Sequence, residues 1–170
     1  MSLYKQVKQT FISEYKNKSD QLKERIIKWN TESPVIKINN PTNIARAREL
    51  GYKAKEGIIV VRVKIRKGKR KRQQADGGRK PSKSGRFFSM QKSLQSISEE
   101  RAAKKFSNYE VLNSYYVGQT GMEKFYEVIL MDRNNPVLIN DKIYSNISSQ
   151  KNRVSRGLTS SGKKHRGLRA

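Results

Sequence analysis

Val61-Arg62-Val63-Lys64-Ile65-Arg66 alternates apolar and basic residues without a break. Period two puts Val61, Val63 and Ile65 on one face of an extended chain and Arg62, Lys64 and Arg66 on the other, the pattern of a half-buried strand. The chain then changes character. From Lys67, through Lys69, Arg70, Lys71, Arg72, Arg79, Lys80, Lys83 and Arg86, no large apolar residue appears until Phe87. Such a segment cannot bury enough surface to offset the entropy of ordering it. The chain therefore leaves a sheet and runs out as an extended basic loop, residues 67–86, toward a source of negative charge.

On the N-terminal side, Leu3, Val7 and Phe11 recur every four residues beside Tyr4 and Tyr15, and Leu22, Ile26 and Trp29 repeat the stripe. This predicts amphipathic helix, broken near Asn17-Lys18-Ser19-Asp20, with the stripe used for packing. After Pro34, Val35-Ile36-Lys37-Ile38 reads as a strand. Thr42 is placed to cap a helix through Ile44, Ala47 and Leu50, which Gly51 closes. On the C-terminal side, Ser93 to Lys105 reads as a helix with a Ser96–Glu99 capping box and Lys104 and Lys105 at its dipole end. Tyr109 to Val117 and Lys124 to Met131 are strands joined by the Gly118–Glu123 hairpin loop. The expected fold class is α+β. An N-terminal helical segment (1–34) precedes a β-α-β-α-β-β domain (35–144) with an antiparallel sheet and the basic loop, and a basic tail (145–170) follows.

The 170 residues carry 38 basic and 14 acidic side chains, a formal charge of +24. The excess is uneven: +11 in residues 62–86, zero in 87–144 and +7, with no acid at all, in 145–170. A neutral block with two acid-poor extensions points to a polyanionic partner. Free of that partner, 67–86 and 145–170 are expected to be disordered.

Other chemistries lack their residues. With no cysteine there is no disulfide and no Cys-containing zinc site. No apolar run approaches the ~20 residues of a membrane helix, and the N-terminus lacks a secretory apolar core; a cytosolic protein is expected. The single histidine, His165, has no neighbouring carboxylate, Cys or second His. Gly77-Gly78 lacks the spacing of a phosphate-cradling loop. Glu99 and Glu100 diverge on a helix and read as helix-face charges rather than an acid–base pair. Tyr115-Tyr116 and Phe125-Tyr126 read as core before base-stacking platform. No enzyme, no cofactor and no metal site is expected; structural magnesium or potassium ions would belong to the bound polyanion.

In the tail, Arg156-Gly157-Leu158 recurs as Arg166-Gly167-Leu168. Glycine lets backbone N–H groups approach phosphate and Arg forks onto it. The candidate residues for binding the polyanion are Arg46, Arg48, Lys53, Lys55, Arg62, Lys64, Arg66, Lys67, Lys69, Arg70, Lys71, Arg72, Arg79, Lys80, Lys83, Arg86, Arg153, Arg156, Gly157, Lys163, Lys164, His165, Arg166 and Gly167. The alternative is a DNA-packaging or other nucleic-acid-binding protein, although no groove-reading helix or wedge is evident.

Four stretches resemble the large-subunit ribosomal protein L-fifteen family of archaea and eukaryotes. They are Leu50-Gly51-Tyr52-Lys53-Ala54-Lys55 with the valine-rich strand; Lys92-Ser93-Leu94-Gln95-Ser96 with Glu99-Glu100-Arg101-Ala102; Val111-Leu112-Asn113-Ser114-Tyr115 through Leu130; and the tail from Arg156 to Leu168. Departures are Gln119-Thr120 in place of an acidic pair, and Asp132-Arg133-Asn134-Asn135 in place of Asp-Pro-His-His. Gly68 also stands where the family has paired glycines, and no tryptophan occurs near Tyr144. The resemblance implies a non-enzymatic, cytoplasmic constituent of the large ribosomal subunit. Its partners would be large-subunit ribosomal RNA and neighbouring ribosomal proteins, with no membrane and no small-molecule substrate. The end shortly after the second Arg-Gly-Leu unit fits an archaeal member.

Overall fold

The computed structural model describes residues 3–68, 78 and 92–169. Lys69, Arg70, Lys71, Arg72, Arg79, Lys80, Lys83 and Arg86 lie outside the described residues. The elements run α1 (Leu3–Asn17), α2 (Asp20–Thr31), β1 (Val35–Ile38), α3 (Ile44–Glu49), β2 (Ile58–Arg66), α4 (Leu94–Lys105), β3 (Tyr109–Gln119) and β4 (Glu123–Asp132). Three short helices follow: α5 (Pro136–Ile139), α6 (Ser145–Ser148) and α7 (Ser160–His165). The fold is α+β around a four-stranded sheet in the order β1-β2-β4-β3, antiparallel at every pairing.

Alternation along β2 holds, but the sheet is covered on both faces. Ile58 and Val60 join Trp29, Tyr115, Phe125, Ile129, Met131, Leu138 and Tyr144 in one core. Val61, Val63 and Ile65 join Ala102, Val111, Val128, Leu130 and Val154 in the other. Burial on both sides is why β4 reads as a continuous apolar run. β3 carries irregularities between Val111 and Asn113 and between Tyr116 and Gly118, which re-aim its side chains between the two cores.

Local signals acted through neighbours of the expected residues. Lys18, at φ 47, separates α1 from α2, and Ser19 caps α2. Asn43, not Thr42, caps α3 by accepting from Arg46 N. Thr42 instead bonds Glu127 through both its backbone and its hydroxyl. Ser93, not a Ser96–Glu99 box, caps α4. Helix α1 buries no residue: Leu3, Tyr4, Ile12 and Tyr15 are exposed, and only part of the expected stripe packs.

The tail departs most from expectation. Residues 145–169 fold back on the body instead of extending from it. Val154 enters the second core, and Thr159 and Gly162 are buried. Few large apolar residues were needed, because the tail is docked by hydrogen bonds to buried carboxylates of the body.

Candidate nucleic-acid interface

The expected cationic face of β2 is largely occupied from within. Arg62 pairs across the strands with Glu127, and its guanidinium lies over Trp29, 4.6 Å from the ring centroid. It forks onto Glu32, with Nη2 2.9 Å from Oε2 and Nε 3.3 Å from the same oxygen. Lys64 Nζ donates to the carbonyls of Asn30 at 2.7 Å and Glu32 at 3.0 Å. It thereby satisfies the C-terminal end of α2, where the helix dipole favours a cation. With α2 packed on this face, the candidates Arg62 and Lys64 have partners within the chain. Only Arg66 is exposed, and Lys67 donates to Thr120 O at 2.6 Å.

Beneath Arg62, Glu127 is fully buried. It accepts from Thr42 N at 3.0 Å, from the Thr42 hydroxyl and from the Tyr115 hydroxyl. Burial pushes its carboxyl above the usual carboxylate range, against the pull of these donors and of Arg62. Burial and the adjacent Glu127 likewise raise the Tyr115 phenol.

The other candidates on the body divide. Arg46 pairs with Glu49 at 2.7 Å and Lys55 with Asp141 at 2.7 Å. Arg48 donates to the Tyr4 hydroxyl and lies 5.2 Å from its ring centroid. Lys53 lies 5.9 Å from the Tyr144 ring centroid. All four are exposed, so these contacts leave surface open to a partner.

The tail is built on two glutamates that sequence reasoning did not single out as anchors. Glu110 accepts from Asn152 N at 2.7 Å and Arg153 N at 3.2 Å. Arg153 donates to Val111 O at 2.6 Å and Gln150 Oε1 at 3.0 Å, so this candidate takes part in docking the tail. Glu99, expected as a helix-face charge, has no exposed surface. It accepts from Ser114 Oγ at 2.5 Å and Thr159 Oγ1 at 2.6 Å. Burial pushes its carboxyl up, opposed by those two hydroxyls and by Arg153. Glu100, its neighbour, pairs with Lys92 at 2.6 Å.

Each Arg-Gly-Leu unit is a chain reversal. Gly157 N bonds Val154 O at 3.0 Å and Leu158 N bonds Arg153 O at 2.9 Å. Gly167 N bonds Lys164 O at 3.1 Å and Leu168 N bonds Lys163 O at 3.0 Å. This pair of bonds is the Schellman stop, with glycine in the left-handed region; φ is 65° at Gly157 and 72° at Gly167. Both glycine N–H groups are thus bonded within the chain, which corrects the expectation that they approach phosphate. The same stop closes α3, with Gly51 at φ 97°.

The two turns bring their arginines together. Arg166 Nη1 lies 3.4 Å from Arg156 O. Arg156, Lys163, Lys164, His165, Arg166 and Arg169 are exposed, and none makes an ion pair among the described residues. A cleft of about 440 Å³ separates this surface from α4, with Lys92, Arg156, His165 and Arg166 on its walls. The N-terminus of α4 lies beside this surface: Ser93 Oγ lies 3.3 Å from Ser161 Oγ.

No group of three or more potential metal-ligating side chains occurs among the described residues, and no described helix is long and apolar enough to cross a membrane. The family model described as Ribosomal L15 matches residues 2–170, essentially the whole chain. That family is of structural, non-enzymatic kind, part of the large-subunit ribonucleoprotein of translation, associated with ribosomal RNA and other ribosomal proteins in the cytoplasm. The chain belongs to the Ribosomal L15 family and is a ribosomal protein of the large subunit.

Proposed function

We propose that this protein stabilises folded large-subunit ribosomal RNA through two cationic regions, the 67–86 stretch and the folded tail. The observation that carries this reading is the tail surface. Arg156, Lys163, Lys164, Arg166 and Arg169 stand exposed on a segment without a single acidic residue, beside the N-terminus of α4. Phosphates packed closely in folded RNA repel one another, and fixed cations between them do the work of condensed ions. Recognition is of backbone shape, because the exposed arginines and lysines of the tail suit phosphate oxygens. Arg66, Arg48, Lys53 and Arg46 supply secondary contacts, whereas Arg62, Lys64 and Arg153 act by holding the body together.

The test is competition for the full-length protein between a folded large-subunit RNA transcript and duplex DNA. RNA is expected to win at moderate salt, with a steep salt dependence that Lys163→Gln with Lys164→Gln makes shallower by about two phosphates. Equal binding to duplex DNA would favour the DNA-packaging alternative. RNA cleavage on incubation would oppose a structural role.

A further inference from the structure

A charge taken out of water must regain in hydrogen bonds what it loses in hydration. Glu99 does so from two sides of the molecule. On one side Ser114 Oγ of β3 donates at 2.5 Å while accepting from Gln95 Nε2 at 2.9 Å. On the other, Thr159 Oγ1 donates at 2.6 Å while accepting from Gly162 N at 3.1 Å. Thr159 is therefore the N-cap of α7 and the tail's tether at once. Hydrogen bonds run unbroken from the sheet, through α4, into the first turn of α7.

The next layer fixes the arginines. A Cβ at Gly162 would lie 2.8 Å from the Gly157 backbone, and a Cβ at Gly157 would lie 2.7 Å from Arg166 Cδ. With α7 seated on Glu99, Gly162 backs onto the first Arg-Gly-Leu turn and the Arg166 side chain lies across it. A displaced α7 would move both arginines together.

We propose that Glu99 is a positioning residue for RNA binding: through Thr159 it folds the tail onto α4 before RNA is met, setting Arg156, Lys163 and Arg166 in a fixed arrangement matched to the phosphates of folded RNA. This rests on the reading of the tail as an RNA-binding surface. Cations already held in place lose less freedom on binding than cations on a loose chain. A buried carboxylate enforces one docked geometry, because alternative dockings would leave it unpaired.

The full-length protein tests this with Thr159→Val, which removes the hydroxyl at near-constant shape, and Thr159→Ser, which restores it. Glu99→Gln, keeping the side-chain shape and one acceptor oxygen, is the second variant. Amide exchange of the free protein and binding to a folded large-subunit RNA transcript across a salt series are the readouts. The wild type is expected to protect the amides of residues 162–168 without RNA. In Thr159→Val these amides should exchange about tenfold faster, with β2 and β4 unchanged. RNA affinity should fall about tenfold with a salt slope shallower by about one phosphate. Glu99→Gln should move both readouts the same way, and Thr159→Ser should return them.

Faster exchange with unchanged affinity and slope would overturn the positioning role and leave a purely structural link. Unprotected amides in the free wild type would overturn it differently, by making RNA the agent that orders the tail. A protected wild-type tail with no RNA affinity would overturn the RNA-binding reading itself, and the positioning role with it, while the folded tail stood.

Discussion

The guanidinium of Arg62 lies over the indole of Trp29, its central carbon 4.6 Å from the ring centroid, with Glu32 gripped at its edge. This contact explains how α2 packs on a strand face that alternates with cations. The guanidinium is planar, so it stacks on the ring while its N–H groups reach two carboxylates in the plane. Lys64 does the complementary task at the end of the helix.

Arg62→Gln is therefore expected to destabilise the free protein, by about 2–4 kcal/mol, because it leaves Glu127 and Glu32 without their cation. Arg66→Gln, at the exposed end of the same strand, is expected to stay within about 0.5 kcal/mol. Urea unfolding of the RNA-free protein measures both. Equal, small effects would mean that the Trp29 face carries no structural load.

Glu127 gives a pH dependence with a definite sign. Its folded-state carboxyl is raised, first by burial. The associated stability is fully present below the ordinary glutamate range and is lost as pH rises through the raised value. The stability of the wild type relative to Glu127→Gln should accordingly fall as pH increases across that window. Removing Arg62, which pulls the carboxyl down, should move the window to higher pH. A wild-type advantage that grew with pH would contradict this.

Glycine variants of the two turns should differ. Gly157 combines φ 65° with Arg166 Cδ 2.7 Å from the site of a Cβ, whereas Gly167, at φ 72°, has open space there. Alanine at Gly167 meets only the backbone penalty of about 1 kcal/mol, while valine at Gly157 also displaces Arg166. In competition for large subunits, Gly157→Val should lose retention clearly and Gly167→Ala only slightly. Equal retention of both would make the tail a diffuse cationic anchor.

The strands were legible from the alternation along Val61–Arg66 and from the β-branched and aromatic composition and glycine-flanked hairpin of Tyr109–Met131. The second covering layer was not. Nothing in Arg62 or Lys64 taken singly says that Trp29 and the end of α2 will lie on them; that needs the chain to fold back. Helix α4 had a poor apolar stripe because its buried residues are Ser96, Ser98, Glu99 and Ala102. That weakness was itself the trace of a polar docking face, and hydrophobic periodicity cannot register it. The folded tail was hidden for the same reason: its basic, acid-poor composition predicts disorder, but Thr159, Gly162 and the Asn152 and Arg153 amides dock it by hydrogen bonds. The repeated Arg-Gly-Leu was visible, and the glycines proved to be turn signals.

Crosslinking with ultraviolet light in intact large subunits, followed by mass spectrometry of peptide–nucleotide adducts, tests the central claim most directly. The account expects adducts to large-subunit ribosomal RNA within residues 153–169 and within 66–86, and none at Arg62 or Lys64. Adducts confined to other surfaces, such as α1 or the α5–α6 region, with both cationic segments clean, would contradict it.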